Sequence, residues 1–153
     1  MTSQPGRDPA AERRTAGRKA SDHTGSTSLD DYPREIQETV AATLAKKAEH
    51  VVVLDLRHTQ AFTDFFVVCS GTNARQVKAI VDSVEETLWK VCRQKPISIE
   101  GYGDSEWVLL DYFDFVVHVF TPETREFYAL ERLWGSALRA EFDQARLPAR
   151  AER

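Results

Sequence analysis

Two apolar runs, VVVLDLR at 51–57 and TDFFVVCSG at 63–71, limit the fold more than any other feature. A strand that faces water on one side alternates apolar and polar residues. These runs are almost continuously apolar, so much of their length is buried on both faces. The chain therefore has to supply cover for a sheet.

Two helical stripes supply it. Tyr32, Ile36, Val40 and Leu44 recur every four residues, with Pro33 placed for a first turn, and predict a helix to about Glu49. Val77, Ile80, Val81, Val84, Leu88 and Val91 recur by threes and fours in a second, longer helix that opens at SGTN (70–73), with Thr72 or Asn73 as cap. ISIEG (97–101), WVLLD (107–111) and FVVHVF (115–120) read as three more strands. Thr121 as cap, Pro122 at the first position and Glu123 in the first turn then start a third helix. Gly135 weakens or ends it before a charged helical extension over 137–153. The expected architecture is α/β, a mixed β-sheet of about five strands with three main helices packed mainly on one face.

Residues 1–28 contain Pro, Gly, Ser, Thr and charge but no aromatic or aliphatic residue beyond alanine and Met1, and predict a disordered basic tail ahead of a domain at 29–136. The tail's acids and its lack of an apolar helical face argue against a transit peptide. Cys69 and Cys92 have no metal-ligand spacing and read as reduced residues of a cytoplasmic-type protein. No apolar run approaches the roughly 20 residues that cross a bilayer, so no membrane partner is expected.

Charge is uneven. The tail holds five basic residues against three acids, whereas the window 100–131 holds eight carboxylates and a single base, Arg125. Such a field repels phosphate and favours a basic protein partner over RNA, whose contact with the tail is at most secondary.

WVLLDYFDFVVHVF (107–120) places Asp111 and Asp114 around a turn, with His118 among valines. Carboxylates that share a divalent cation on a strand need a spacing of two, which aims both at one face. Asp111 and Asp114 are three apart across a hairpin, so neither a catalytic pair nor a metal site is expected. His118 has no second histidine or cysteine at ligand spacing and fits better as a hydrogen-bonding contact in an interface. SGTNARQV lacks the glycines of a phosphate loop, and helix capping explains it better than anion binding. Alternation along 107–112 puts Trp107, Leu109 and Asp111 on one face and Val108, Leu110 and Tyr112 on the other. The second set suits packing under helices; the first suits the core of an interface with a charged edge.

Five ordered blocks, T-D-F-F-V-V-C-S-G-T-N-x-R (63–75), E-G (100–101), W-x-L-L-D (107–111), D-x-V-V-H-V-F (114–120) and R-x-F-Y-x-L-E-x-L-W (125–134), resemble the Iojap or ribosomal silencing factor (RsfS) family over about residues 32–136. The resemblance implies a nucleotidyltransferase-like fold without the transferase motif, no cofactor, and no enzymatic activity. It implies binding to the large ribosomal subunit through large-subunit ribosomal protein L-fourteen, blocking the joining of the small subunit when nutrients are scarce. Trp107, Asp111, His118 and Tyr128 match family positions at or near the contact surface, with Glu100, Asp114, Glu131 and Trp134 as further candidates. The turn DYFD departs from the family, which often has a glycine before the second acid. The runner-up is a divergent nucleotide-binding enzyme of the same fold, and an exposed Trp/Leu/Tyr face also invites a homodimer.

Overall fold

The computed structural model describes residues 28–146. The expected disordered tail lies outside them except for Ser28, as do residues 147–153. Ser28 caps the first described turn reciprocally: its Oγ accepts from the Asp30 amide, and its own amide donates to Asp31 Oδ2. Helix α1 (Arg34–Ala45) follows Pro33, and Tyr32, Ile36, Val40 and Leu44 are all buried. It stops four residues short of the expected Glu49. Lys47 adopts φ +63 and donates its amide to Leu44 O, which turns the chain into β1 (Glu49–Asp55).

Strand β2 (Phe65–Ser70) pairs antiparallel with β1, then feeds α2 (Ala74–Cys92). Asn73 is the cap, with Oδ1 accepting from the Gln76 amide at 2.9 Å. Val77, Ile80, Val81, Val84 and Leu88 of α2 are fully buried, a contribution of about 2 kcal/mol each. Strands β3 (Ser98–Glu100), β4 (Trp107–Asp111) and β5 (Phe115–Phe120) form an antiparallel meander, and β5 lies parallel to β2.

The C-terminal quarter departs from the expected continuous helix. Helix α3 (Pro122–Tyr128) starts at Thr121 as expected but ends at Ala129, whose φ of +46 separates it from the single turn α4 (Leu130–Leu133). Of the expected charged helical extension over 137–153, residues 147–153 lie outside the described residues, and the described part forms a sixth strand, β6 (Leu138–Phe142), paired antiparallel with β1 from Asp55↔Leu138 to Val51↔Phe142. Its residues alternate: Ala140 and Phe142 enter the core while Arg139 and Glu141 face out. The unpaired backbone edge of β1 accounts for the difference, because it offers this segment a complete ladder of hydrogen bonds. The sheet order is β3-β4-β5-β2-β1-β6.

Both faces of the sheet are covered, unequally. On one face α1 and α2 pack over Val51, Val53, Val67, Cys69, Val108, Leu110, Val117 and Val119. Cys69 is fully buried, which pushes its thiol up to about 12 and leaves it protonated. On the other face Val52, Leu54, Phe66, Val68, Val116 and Phe120 form a second apolar layer, joined by Leu130 of α4 and Leu56, with Trp134, Ala137 and Ala61 packed against it and no long helix among the described residues.

Candidate protein-recognition face

The alternation along β4 is as expected: Val108, Leu110 and Tyr112 lie in the helix-side core, while Trp107 and Leu109 pack at the margin of the second layer, half-buried. Asp111 follows them on the same face, also half-buried. A strip of tryptophan, leucine and aspartate is thus left beside the short helices.

Trp107 is fixed from several sides. Its ring stacks on Phe120, with centroids 5.0 Å apart, and meets Tyr128 of α3 at 4.8 Å. Its Nε1–H donates to His118 Nδ1 at 3.1 Å. The E-G block explains itself here. Gly101 has φ +87, and a Cβ on it would lie 2.2 Å from the Trp107 carbonyl oxygen, so only glycine lets the loop after β3 cross β4 at this point. Glu100 beside it is exposed.

His118 is beneath this surface rather than on it. It is 3% exposed, edge-on to Phe66 at 4.6 Å, and burial lowers its pKa to about 4. Because Nδ1 accepts from Trp107, the proton is on Nε2, which is buried without a hydrogen-bond partner. His118 orients Trp107; it has no solvent face with which to touch a partner.

The hairpin separates the two aspartates as expected. Asp111 Oδ1 accepts from the Phe113 amide at 2.8 Å, whereas the Asp114 side chain is exposed on the far side of the turn. Phe113 between them has φ +75, the left-handed conformation that glycine adopts freely. Among the described residues, no group of three or more His, Cys, Asp or Glu could hold a metal ion.

Glu131 and Trp134 are structural in their contacts. The Arg125 guanidinium donates through Nη2 and Nε to the two Glu131 oxygens at 2.7 and 3.3 Å, and through Nη1 to His50 O and Ser70 Oγ, both at 2.9 Å. Burial pushes the Glu131 carboxyl up, but the hydrogen bonds and charge of Arg125, with Arg139 beyond, outweigh it and hold the group below the usual carboxylate range. In a continuous helix, residues six apart are about 9 Å apart along the axis and on different faces, so this pair requires the break at Ala129. Trp134 packs edge-on to Phe66 at 5.9 Å. Ser70, where a transferase would present its turn to a nucleotide, is held by Arg125, and the start of α2 is satisfied by Asn73 and Gln76.

The structure also shows what sequence reasoning missed. Arg125 had a signal, as the single base among eight carboxylates. Phe127 and Leu133, both strongly exposed, did not, because their places in the short helices depend on the break at Ala129. Tyr128 touches Trp107 and Phe127 touches Tyr128, so these two rings extend the apolar strip of β4 onto the short helices α3 and α4, which cap this face of the sheet.

The domain is thus a mixed α/β sheet with a half-open strip of Trp107, Leu109 and Asp111 in an acidic stretch of the chain. The family model described as "Ribosomal silencing factor during starvation" matches residues 29–153, and the chain belongs to that family. Ribosomal silencing factor RsfS of Halalkalibacterium halodurans is 40% identical over 111 residues, covering 71% of this chain and 92% of its own. The chloroplast protein Iojap of Zea mays is 34% identical over 105 residues, covering 63% of this chain and 44% of its own. A crystal structure of a Chromobacterium violaceum protein matches with a TM-score of 0.64 and 29% identity, covering 83% of this chain and 95% of that one. These relatives are named as silencing factors or as Iojap, and none of those names is an enzyme's.

Proposed function

We propose that this chain is a non-enzymatic ribosome anti-association factor of the cytoplasm. It docks on the large subunit through large-subunit ribosomal protein L-fourteen, and its bulk blocks the small subunit, which lowers translation under nutrient limitation. The observation that carries this reading is the half-exposed strip Trp107–Leu109–Asp111, which meets exposed Tyr128 and through it Phe127, in the most acidic part of the chain. Aromatic anchors at the centre with carboxylates at the rim suit a basic protein. Trp107, Leu109, Asp111 and Tyr128 are the contacts, with Asp114 and Glu100 at the rim. His118, Glu131 and Trp134 hold those contacts in place.

Cosedimentation with purified large subunits, followed by a subunit-joining assay, tests the reading. Asp111→Lys is expected to weaken binding at least about tenfold without unfolding, because it puts a like charge in direct contact with a basic partner. Unimpaired joining at saturating wild-type protein would sink the mechanism. The same apolar strip also supports a homodimer when the ribosome is absent; light scattering, with and without Asp111→Lys, reads that state.

A further inference from the structure

At the end of the sheet away from Trp107, the loop between β1 and β2 meets the turn between β4 and β5. Thr63 donates its hydroxyl to Phe113 O at 2.8 Å, and the Asp64 amide donates to Asp114 O at 2.9 Å, so the two tips are joined through their backbones. Each carries a phenylalanine in water: Phe62 is 84% exposed and Phe113 is 69% exposed.

Phe113 is an unusual occupant of its position. At φ +75 its Cβ is crowded by its own backbone, and glycine would sit there without that cost. Three hydrogen bonds hold the turn regardless, from Phe113 N to Asp111 Oδ1, from Asp114 N to Tyr112 O, and from Thr63 Oγ1 to Phe113 O. A bulky apolar side chain in a strained conformation that buries little of itself is better explained by contact with another molecule than by stability. The tips also carry Asp64, Asp111 and Asp114, while Arg57 of the same loop is held by Asp55 Oδ2 at 2.7 Å. Three carboxylates repel the phosphates that would accompany a stacked nucleobase, so the occupant is protein and basic. Asp111 makes the tip continuous with the Trp107–Leu109 strip on the same strand face.

We infer that Phe62 and Phe113 form a paired aromatic tip that enters an apolar socket on the basic ribosomal-protein surface bound by the β4 strip. This rests on the proposed ribosome reading and extends its footprint along the whole length of β4.

The test compares Phe113→Gly, Phe113→Asn, Phe62→Ser and Asp111→Lys in the full chain, measuring melting temperature and affinity for purified large subunits at one fixed salt concentration. Phe113→Gly is expected to raise the melting temperature by about 3–5 °C while weakening binding at least about tenfold. A purely structural role would move both in the same direction. Asparagine also tolerates this conformation, so Phe113→Asn checks the result without glycine's added chain freedom. Phe62→Ser alters no constrained backbone and is expected to weaken binding with the melting temperature unchanged. If the tip variants bind within twofold of wild type while Asp111→Lys binds poorly, the tip is overturned and the β4 strip stands. If Asp111→Lys also binds normally, the ribosome reading of this face falls with it.

Discussion

Trp107 donates its indole N–H to His118 Nδ1 at 3.1 Å, across the diagonal of the β4–β5 ladder. The bond fixes the histidine tautomer and the plane of the tryptophan together. Trp107→Phe leaves a buried nitrogen without its donor and is expected to cost about 1–2 kcal/mol in urea unfolding. A double-mutant cycle with His118→Leu should show a favourable coupling of about 1 kcal/mol; strictly additive effects would mean the bond contributes nothing.

His118 also sets a pH dependence. Its pKa falls from the ordinary 6.5 to about 4 on folding, because burial disfavours the charged ring. Between these values the unfolded chain binds the proton and the folded chain does not. The stabilising difference is fully present above pH 6.5 and is lost as pH falls toward 4, to a limit of about 3 kcal/mol. The stability gap between wild type and His118→Asn, measured from pH 4 to 7.5, should follow that slope. Parallel curves would refute it.

Arg125 and Glu131 hold the cap on the sheet. Neither α3 nor α4 has much of an apolar face: α3 buries no residue and α4 buries Leu130, which is still 9% exposed. Removing one partner strands a largely buried charge, so Arg125→Met is expected to cost about 3 kcal/mol. Amide hydrogen exchange should quicken over 122–137 and stay slow in α2. Uniformly faster exchange would show that the pair supports the whole domain and not the cap.

Gly101→Ala places a methyl group against the Trp107 carbonyl in a left-handed conformation. The clash is with backbone, which cannot swing aside, so a loss of at least about 2 kcal/mol is expected. Tryptophan fluorescence of the folded variant should shift as Trp107 is displaced.

The sequence was most readable where one principle acted alone. Runs such as FFVVCS could only be inner strands, the i, i+4 stripe from Tyr32 could only be a helix facing a core, and the period of two along WVLLD sorted Trp107 from Val108. It was least readable where distant partners decided the outcome. LRAEF has helix-compatible charges, and its strand state comes from the edge of β1, more than eighty residues earlier. The break at Ala129 brings Arg125 and Glu131 together, a pairing of residues six apart that local propensity does not register. Along the candidate face, alternation put Trp107 and Asp111 on one side of β4, as the strand has them, but whether His118 faced water or core depended on Phe66, from a strand that pairs with β5 only in the folded chain.

The sixth strand has a consequence for how copies of the protein meet. With β6 laid along β1, the long valine-rich strand at the middle of the chain has no free margin, and the opposite margin is β3, three residues long. The rim on the β1 side is now β6 itself, five residues that carry the outward charges Arg139 and Glu141, so both rims are short and the one on the β1 side is charged, which discourages edge-to-edge pairing of copies. A protease cut or a premature stop just before Leu138 would strip that strand and expose the longer, valine-rich edge of β1, a margin on which copies of the protein could clump.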